Sequence, residues 1–259
     1  LCRFRLGISF LNIQVQVAGE LLEPKQSPAM RDVYFFKNEM RKAHSGAQIG
    51  LDLSDAVSQV ALWKRLDGVI IPIATTTKDL YAYSNAAWAA QSPTGTLSGT
   101  SANRVSVAVL NDTFYFVSFD YELRSWAGLG NSHAGVSGGF SARGMDVINN
   151  RIVLAHTISG GTASAQTIKW TQNGIVSFTG TGSGPRDLAD RPDHIQNIRK
   201  LGPYRVLVYK EDSIVDLRGT GDSSFPFDST ELVGGIGLLL PYSLAEWAGG
   251  HFFAASDET

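Results

Sequence analysis

Five tight-turn signals punctuate the chain, at Asp67-Gly68, Asn111-Asp112, Asn149-Asn150, Gly202-Pro203 and Gly249-Gly250. Each is followed by an apolar run: Val69-Ile70-Ile71, Phe114-Tyr115-Phe116-Val117, Ile152-Val153-Leu154, Val206-Leu207-Val208 and Phe252-Phe253. From turn to turn the steps are 44, 38, 53 and 47 residues. A module of about 40–50 residues holds four short strands, which is the repeat length of a propeller blade. The pattern therefore predicts an all-β, β-propeller-like chain of about five four-stranded blades, the last incomplete. A β-sandwich or another multi-sheet fold is the competing arrangement.

The repeat domain is expected over 57–259, preceded by N-terminal strands and an opening segment over 1–56. Phe4, Leu6, Ile8 and Phe10 alternate with other residues, and Leu11, Ile13, Val15 and Val17 continue in the opposite phase. Period two means strand, and the phase slip means a bulge or turn. Tyr34-Phe35-Phe36 before Lys37-Asn38-Glu39 reads as a hairpin, with a short helix through Val33, Phe36 and Met40 as the alternative.

In the first repeat, strands are expected over 57–65, 69–74 and 79–84 and around Trp88. Pro72 is a blemish in the second of these, since it cannot donate to a ladder. The second repeat should contain strands 104–110, 113–119 and 123–127, with the glycine-rich stretch 128–139 as a surface loop. The third is the clearest, with strands 145–148, 151–158, 165–170 and 175–179 and an Asn173-Gly174 turn. The fourth has strands 198–201, 205–210 and 213–218 around a Glu211-Asp212 turn. The fifth offers 243–248 and 251–256, then Asp257-Glu258 where Glu211-Asp212 stood. A half-built blade leaves an open edge, so Leu1–Val17, or further sequence, is expected to pair with this last hairpin.

The 259 residues carry a net charge of −2, which gives no electrostatic drive for tight phosphate binding along a nucleic acid. The single cysteine, Cys2, excludes internal disulfides and a four-cysteine zinc site. No apolar run approaches the ~18–20 residues that span a bilayer. The N-terminal segment, with Arg3 and Arg5 among alternating residues, lacks the continuous apolar core of a signal peptide.

The motifs that could carry chemistry fall short one by one. Gly180-x-Gly182-x-Gly184 follows a strand, but Pro185 replaces the helix N-terminus that a phosphate cradle needs. Gly128-Leu129-Gly130 fails in the same way. Asp187, Asp190 and Asp193, with His194, lack the alternate-position oxygen spacing of a calcium loop. His44, His133, His156, His194 and His251 have no metal-ligand spacing, and Ser141 has no second glycine after it to make a nucleophile elbow. Asp146, Asp216 and Glu246 could supply a glycosidase carboxylate pair only if the fold assembled them. Trp88, Trp126 and Trp170 recur near strand ends, which fits packing between blades better than a carbohydrate platform. No catalytic, cofactor-binding or metal site is assigned.

One order of short motifs stands out in the last third: Tyr209-Lys-Glu-Asp-Ser-Ile-Val-Asp-Leu217, Gly219-Thr-Gly-Asp222, Phe225-Pro-Phe-Asp228, Gly235-Ile-Gly237, Pro241-Tyr-Ser243 and Gly249-Gly-His-Phe-Phe253. It resembles the tail hub, nozzle or packaged-DNA stabilisation proteins of short-tailed double-stranded DNA phages. Phe36-Lys-Asn-Glu-Met-Arg-Lys-Ala-His-Ser-Gly46 is similar to that family's opening segment. Glu258 departs from the pattern, which turns on glycine there. The resemblance implies a non-enzymatic virion tail protein without cofactors, assembled in the host cytoplasm as a homo-oligomeric ring. Its implied partners are a portal-proximal adaptor, other tail proteins and double-stranded DNA that passes without tight binding; no membrane is implied. The competing function is a glycan-binding or glycan-hydrolysing propeller, and a WD-repeat-like interaction protein is a third possibility, although the Trp-Asp dipeptide is absent.

Overall fold

Every regular element among the described residues is a β-strand. The computed structural model describes residues 33–36, 39–42, 53, 55–91, 97–247 and 249–256, and divides the chain into compact units Leu1–Ile49 and Gly50–Thr259. In the first unit, β1 (Val33–Phe36) pairs antiparallel with β2 (Glu39–Lys42), Phe36 opposite Glu39. That is the hairpin, not the helix. Leu1–Val17, and with it the expected pairing of that segment with the last hairpin, lies outside the described residues.

The second unit contains four successive four-stranded antiparallel sheets, each a meander. The first sheet is β3 (Val57–Lys64), β4 (Ile70–Thr76), β5 (Leu80–Ser84) and β6 (Ala87–Ala90). The second is β7 (Ser106–Leu110), β8 (Thr113–Val117), β9 (Arg124–Trp126) and β10 (Ala134–Gly135). The third is β11 (Ser141–Ile148), β12 (Arg151–Ser159), β13 (Thr162–Trp170) and β14 (Gly184–Asp187). The fourth is β15 (Ile195–Lys200), β16 (Arg205–Lys210), β17 (Ser213–Gly219) and β18 (Phe227–Gly234). The fifth repeat consists of two short ladders: β19 (Gly237–Leu238) pairs with β22 (Ala255–Ser256), and β20 (Ala245–Trp247) with β21 (Gly250–Phe252).

The sheets are blades because their faces pack on one another in chain order. The second strands divide their side chains by parity: Phe114 and Phe116 of β8 face the first sheet, whereas Tyr115 and Val117 face the third. In β12, Ile152 and Leu154 join the core with the second sheet, and Val153 and Ala155 join the core with the fourth. In β16, Val206 and Val208 pack towards the third sheet while Leu207 and Tyr209 pack towards the fifth repeat. A strand covered on both faces reads as a continuous apolar run, which is why these segments were so visible. The fold is β-propeller-like, with four complete blades and a fifth made of two short ladders.

The Asn111-Asp112 and Asn149-Asn150 turns have positive φ at both residues (49° and 53°, 49° and 58°), the type I′ geometry that matches strand twist. The turns at 67–68 and 202–203 belong to longer loops: Lys64 pairs with Ile70 and Lys200 with Val206. The β20–β21 connection is 248–249 rather than 249–250, because Trp247 pairs with Gly250. Pro72 is accommodated because the β4–β5 ladder ends beside it, at Ile73 opposite Ala82.

The outer strands correct the sequence expectation. The stretch 128–139 is not wholly loop, since β10 lies within it and pairs with β9. The expected strand 175–179 makes only a bridge, Gln172 to Ile175 around Asn173-Gly174, and the true outer strand is β14, which starts at the last glycine of the glycine-rich segment. Pro185 is tolerated there because β14 pairs with β13 alone and its other edge needs no donor.

Gly144 on β11 lets the third and fourth blades approach: a Cβ there would lie 2.9 Å from Ile198 Cγ2 and 3.1 Å from the Ile198 nitrogen. Gly144→Ala should lower the unfolding free energy by about 1–3 kcal/mol in a urea titration, through overpacking at this junction. Unchanged stability would show that the two blades can separate at no cost.

Candidate functional site: the axial cavity

The first strands of the blades, β3, β7, β11 and β15, come together in that order. Each junction is made by a side chain reaching the backbone of the next blade. Ser58 Oγ accepts the Val105 N–H at 2.8 Å. Ser106 Oγ accepts the Met145 N–H at 3.0 Å and donates to its carbonyl at 3.2 Å. One Asp146 carboxylate oxygen accepts the Lys200 N–H at 2.7 Å while the other accepts Val147 N–H at 2.7 Å. Asn197 Nδ2 donates to the Pro241 carbonyl at 2.6 Å and so ties in the fifth repeat.

Beside these strands lies a solvent-open cavity of about 230 Å³ lined by Gln59, Arg104–Val107, Arg143, Asn197, Arg199, Tyr242 and Leu244. Every repeat contributes to it. Three arginines line it and no carboxylate does. The Arg104 guanidinium lies over the Tyr242 ring, 5.4 Å from its centroid, and the Tyr242 hydroxyl accepts the Arg104 N–H at 3.0 Å. Arg143 donates to Gln196 Oε1 at 2.6 Å and stacks over Phe119 at 5.0 Å. Gln196 in turn donates to Glu211 at 2.8 Å, so the nearest carboxylate to Arg143 along this chain is one amide removed. Sequence inspection missed all three arginines, because each sits alone in its own repeat; the only signal is an arginine in three successive first strands or just before them.

The carboxylates weighed for catalysis are not brought together by any shared partner. Asp146 is the β11–β15 junction, and burial pushes its carboxyl above the ordinary value, against the two backbone N–H groups and the attraction of Arg199 and Lys200. Asp216, 1% exposed, pairs with Arg205 at 2.9 Å and Arg218 at 2.6 Å. Burial alone would raise its carboxyl, but the two arginine hydrogen bonds and charges outweigh it and hold it below the usual range. Glu246 is exposed on β20 opposite His251.

The aspartate-rich loop is structural. Asp193 binds the buried Lys210 ammonium at 2.6 Å, Ser213 Oγ at 2.8 Å and the Asp212 N–H at 3.1 Å. These bonds overcome the upward push of burial and lower its carboxyl. Asp187 accepts the Thr167 hydroxyl, Asp190 is exposed, and no cluster of metal-ligand type occurs among the described residues.

The described histidines are occupied too. His133 Nδ1 accepts from Arg124 at 2.9 Å, and burial lowers its basicity, Arg124 adding to that. His156 occupies a bulge in β12 at φ 52° and bonds the Ile195 carbonyl at 2.9 Å; burial lowers it as well. His251 joins the Tyr209 hydroxyl at 2.7 Å to the Lys200 carbonyl at 2.9 Å. The exposed His194 ring lies 3.6 Å from Glu211. His44 lies outside the described residues.

Ser141 is a ladder residue opposite Ile158. The glycine-rich loop works in the opposite sense to a phosphate cradle: it offers carbonyls, Gly182 accepting from the buried Arg151 at 2.6 Å and from Trp170 Nε1 at 3.1 Å. Gly128 and Gly130 have positive φ in a loop whose Gly128 carbonyl accepts the Asn131 N–H. Trp126 is buried between the first two blades and donates to the Asn131 carbonyl at 2.9 Å, and Trp170 is buried between the third and fourth. Trp88 is half-buried beside Tyr83, ring centroids 5.3 Å apart.

The lowered carboxyls of Asp193 and Asp216 stabilise the fold fully above the ordinary aspartate value of about 3.9, and that stabilisation is lost as pH falls through their folded values. Asp146, raised, has the opposite sign: stability falls as pH climbs from the ordinary value to its folded one. Thermal unfolding followed across pH should show Tm dropping below about pH 4. Asp193→Asn and Asp216→Asn should each flatten that drop, whereas an unchanged acid limb in both would exclude these two groups as its cause.

No family model matches the chain, and no curated protein matches it. Among solved structures, it is similar to the WD40 domain of SCAP from fission yeast, with 8% identity and a TM-score of 0.38 over 73% of this chain. The chain spans 44% of that one. It is also similar to YCF48 bound to D1 peptide, with 12% identity and a TM-score of 0.31, covering 73% of this chain and 72% of the other. Both likenesses concern the fold alone, and the assignment rests on the sheet order and the cores between blades.

Proposed function

We propose that the protein is a structural virion component, a tail hub or nozzle subunit whose ring extends the DNA channel below the portal and helps retain packaged DNA. The observation that carries this over a glycan-active propeller is the burial of Trp126 and Trp170 between blades, which leaves neither as a stacking platform. The motifs of the tail-hub resemblance also fall where they build the joint between the fourth blade and the fifth repeat. Glu211 and Asp212 turn β16 into β17, Gly235 N–H bonds the Asp212 carbonyl, and Ser256 Oγ bonds the Glu211 carbonyl. Gly237 is pressed against Glu211: a Cβ there would lie 2.3 Å from its carbonyl.

The channel in this reading is bounded by several copies. A cavity of about 230 Å³ corresponds to a cube about 6 Å on edge, whereas the major groove of a duplex alone is about 12 Å wide. A net charge of −2 suits a conduit, because tight phosphate contacts would retard translocation. Exposed apolar residues at both ends of the blade series, Val60, Leu62 and Ile70 on the first and Leu239, Leu240 and Phe252 on the fifth, suit contacts with neighbouring subunits.

Mass photometry and negative-stain imaging of the purified chain, alone and with a portal-proximal adaptor, test the reading. A closed ring of defined mass is expected. Leu62→Glu, at a position 72% exposed, should reduce the assembled fraction without loss of the strand signal in circular dichroism. A monomer under all conditions, or saturable binding to a glycan array, would overturn the proposal.

A further inference from the structure

We infer that the axial cavity is a binding site for a small multivalent oxyanion of the phosphate class, independently of the tail reading. Arg104, Arg143 and Arg199 line one cavity, and among the described residues none of the three forms an ion pair. The other described arginines in ion pairs, Arg65, Arg191, Arg205 and Arg218, each have an aspartate or glutamate partner. Arg124, Arg151 and Arg186 also lack a carboxylate, but they donate to His133 and to the carbonyls of Thr171, Gly182 and Phe227. What sets the axial three apart is that they line one cavity with no carboxylate in its wall.

Two further observations point to a ligand. The Nε atoms of Arg143 and Arg199 are buried and have no acceptor from the protein, and a buried donor without an acceptor is rare enough to need a cause. Two of the guanidinium groups are also held in position. Arg143 is fixed by Gln196 and Phe119 and Arg104 by Tyr242, so little side-chain freedom remains to be lost on binding. The carboxylate of Asp146 attracts Arg199, yet its two oxygens are committed to the Lys200 and Val147 N–H groups.

Three like charges around one cavity repel, and an anion between them removes that repulsion. A guanidinium presents its N–H groups in a planar fork that matches the oxygens of phosphate or carboxylate. Three forks and three charges suit a dianionic tetrahedral group with several acceptor oxygens better than a single carboxylate. Gln59 and Asn197 add neutral amide groups to the wall. The volume, about 230 Å³, is below the ~300–1,000 Å³ of pockets that enclose drug-sized ligands, and fits one phosphate or pyrophosphate with water.

The source is either a free ion or a phosphoryl group on a larger molecule, and the same titration separates them. Isothermal titration calorimetry of the full chain would use sodium phosphate, sodium pyrophosphate and a 5′-phosphorylated single-stranded oligonucleotide, each against sodium chloride at matched ionic strength. Saturable binding of pyrophosphate with Kd at or below about 1 mM is expected. Tighter binding of the free ions than of the oligonucleotide assigns a free anion, and the reverse assigns a terminal phosphoryl group; both support the site.

Arg143→Gln and Arg199→Gln should each weaken binding by about tenfold or more, the scale of one lost charge-assisted hydrogen bond. The exposed Lys64→Gln removes the same unit of charge and should leave Kd within twofold. Equal weakening by Lys64→Gln, or no saturable binding of either phosphate ion by the unaltered protein, would overturn the inference whether or not the arginine variants fold. Citrate binding more tightly than pyrophosphate would overturn the phosphate assignment.

Discussion

The structure depends on how the first strands of neighbouring blades are joined. A blade's first strand has one edge inside its own sheet and one edge facing the next blade, where no β-ladder continues. The N–H groups on that free edge must still be satisfied once water is excluded. Here they are met by short polar side chains from the adjacent blade: Ser58 for Val105, Ser106 for Met145 and Asp146 for Lys200. A net hydrogen bond contributes about 0.5–1.5 kcal/mol, but leaving a buried donor unmatched costs about 1–3 kcal/mol. The relay thus fixes which faces meet, and the apolar cores on either side fill the wedge it defines.

That division of labour explains which parts of the fold were legible. The middle strands pack on both faces, so β8, β12 and β16 appear as apolar runs beside tight turns, and the run 205–210 matches β16 at both ends. The outer strands pair on one side only and carry mixed residues: Gly184-Pro185-Arg186-Asp187, or the mostly exposed β18. Nothing in their composition separates them from loops, and Asn173-Gly174 drew the third outer strand to the wrong segment because a good turn signal does not require a strand after it. The relay was invisible for another reason. Serine and aspartate inside a strand look like surface residues or candidate acids until the neighbouring blade is in place.

Charge in this molecule is sorted by position. Away from the axis, several arginines and lysines meet carboxylates, as in Asp216 with Arg205 and Arg218 or Asp193 with Lys210, and others donate to carbonyls, as Arg151 and Arg186 do. The Lys210 ammonium is 1% exposed and also donates to the Leu188 and Arg191 carbonyls, so its burial is matched by a full set of acceptors. A buried pair of this kind is costly to form and much costlier to break by removing one partner, which makes it a device for holding the loop before β15 against β16 in one arrangement. The axial cavity differs in having no carboxylate in its wall. Three arginines line it, the one nearby aspartate is spent on backbone, and the near-zero net charge of the whole chain hides the local excess.

The same sorting bears on how a candidate site can be read from a sequence like this one. The residues that drew attention as chemistry, the aspartates, histidines and glycine-rich loop, each answer a local structural need: a junction, a bulge, a carbonyl acceptor for a buried arginine. The residues that gather at the axis carried no motif because a repeat fold distributes a site, one side chain per repeat, at separations of dozens of residues. Arg104, Arg143 and Arg199 are 39 and 56 positions apart, near the repeat length itself, and each lies one or two residues before the N–H that its blade donates to the preceding one, at Val105, Met145 and Lys200. In a propeller-like chain, the unit in which to search for function is therefore the recurring position within the repeat, and the short motif is more often the turn or joint that puts the repeat in place.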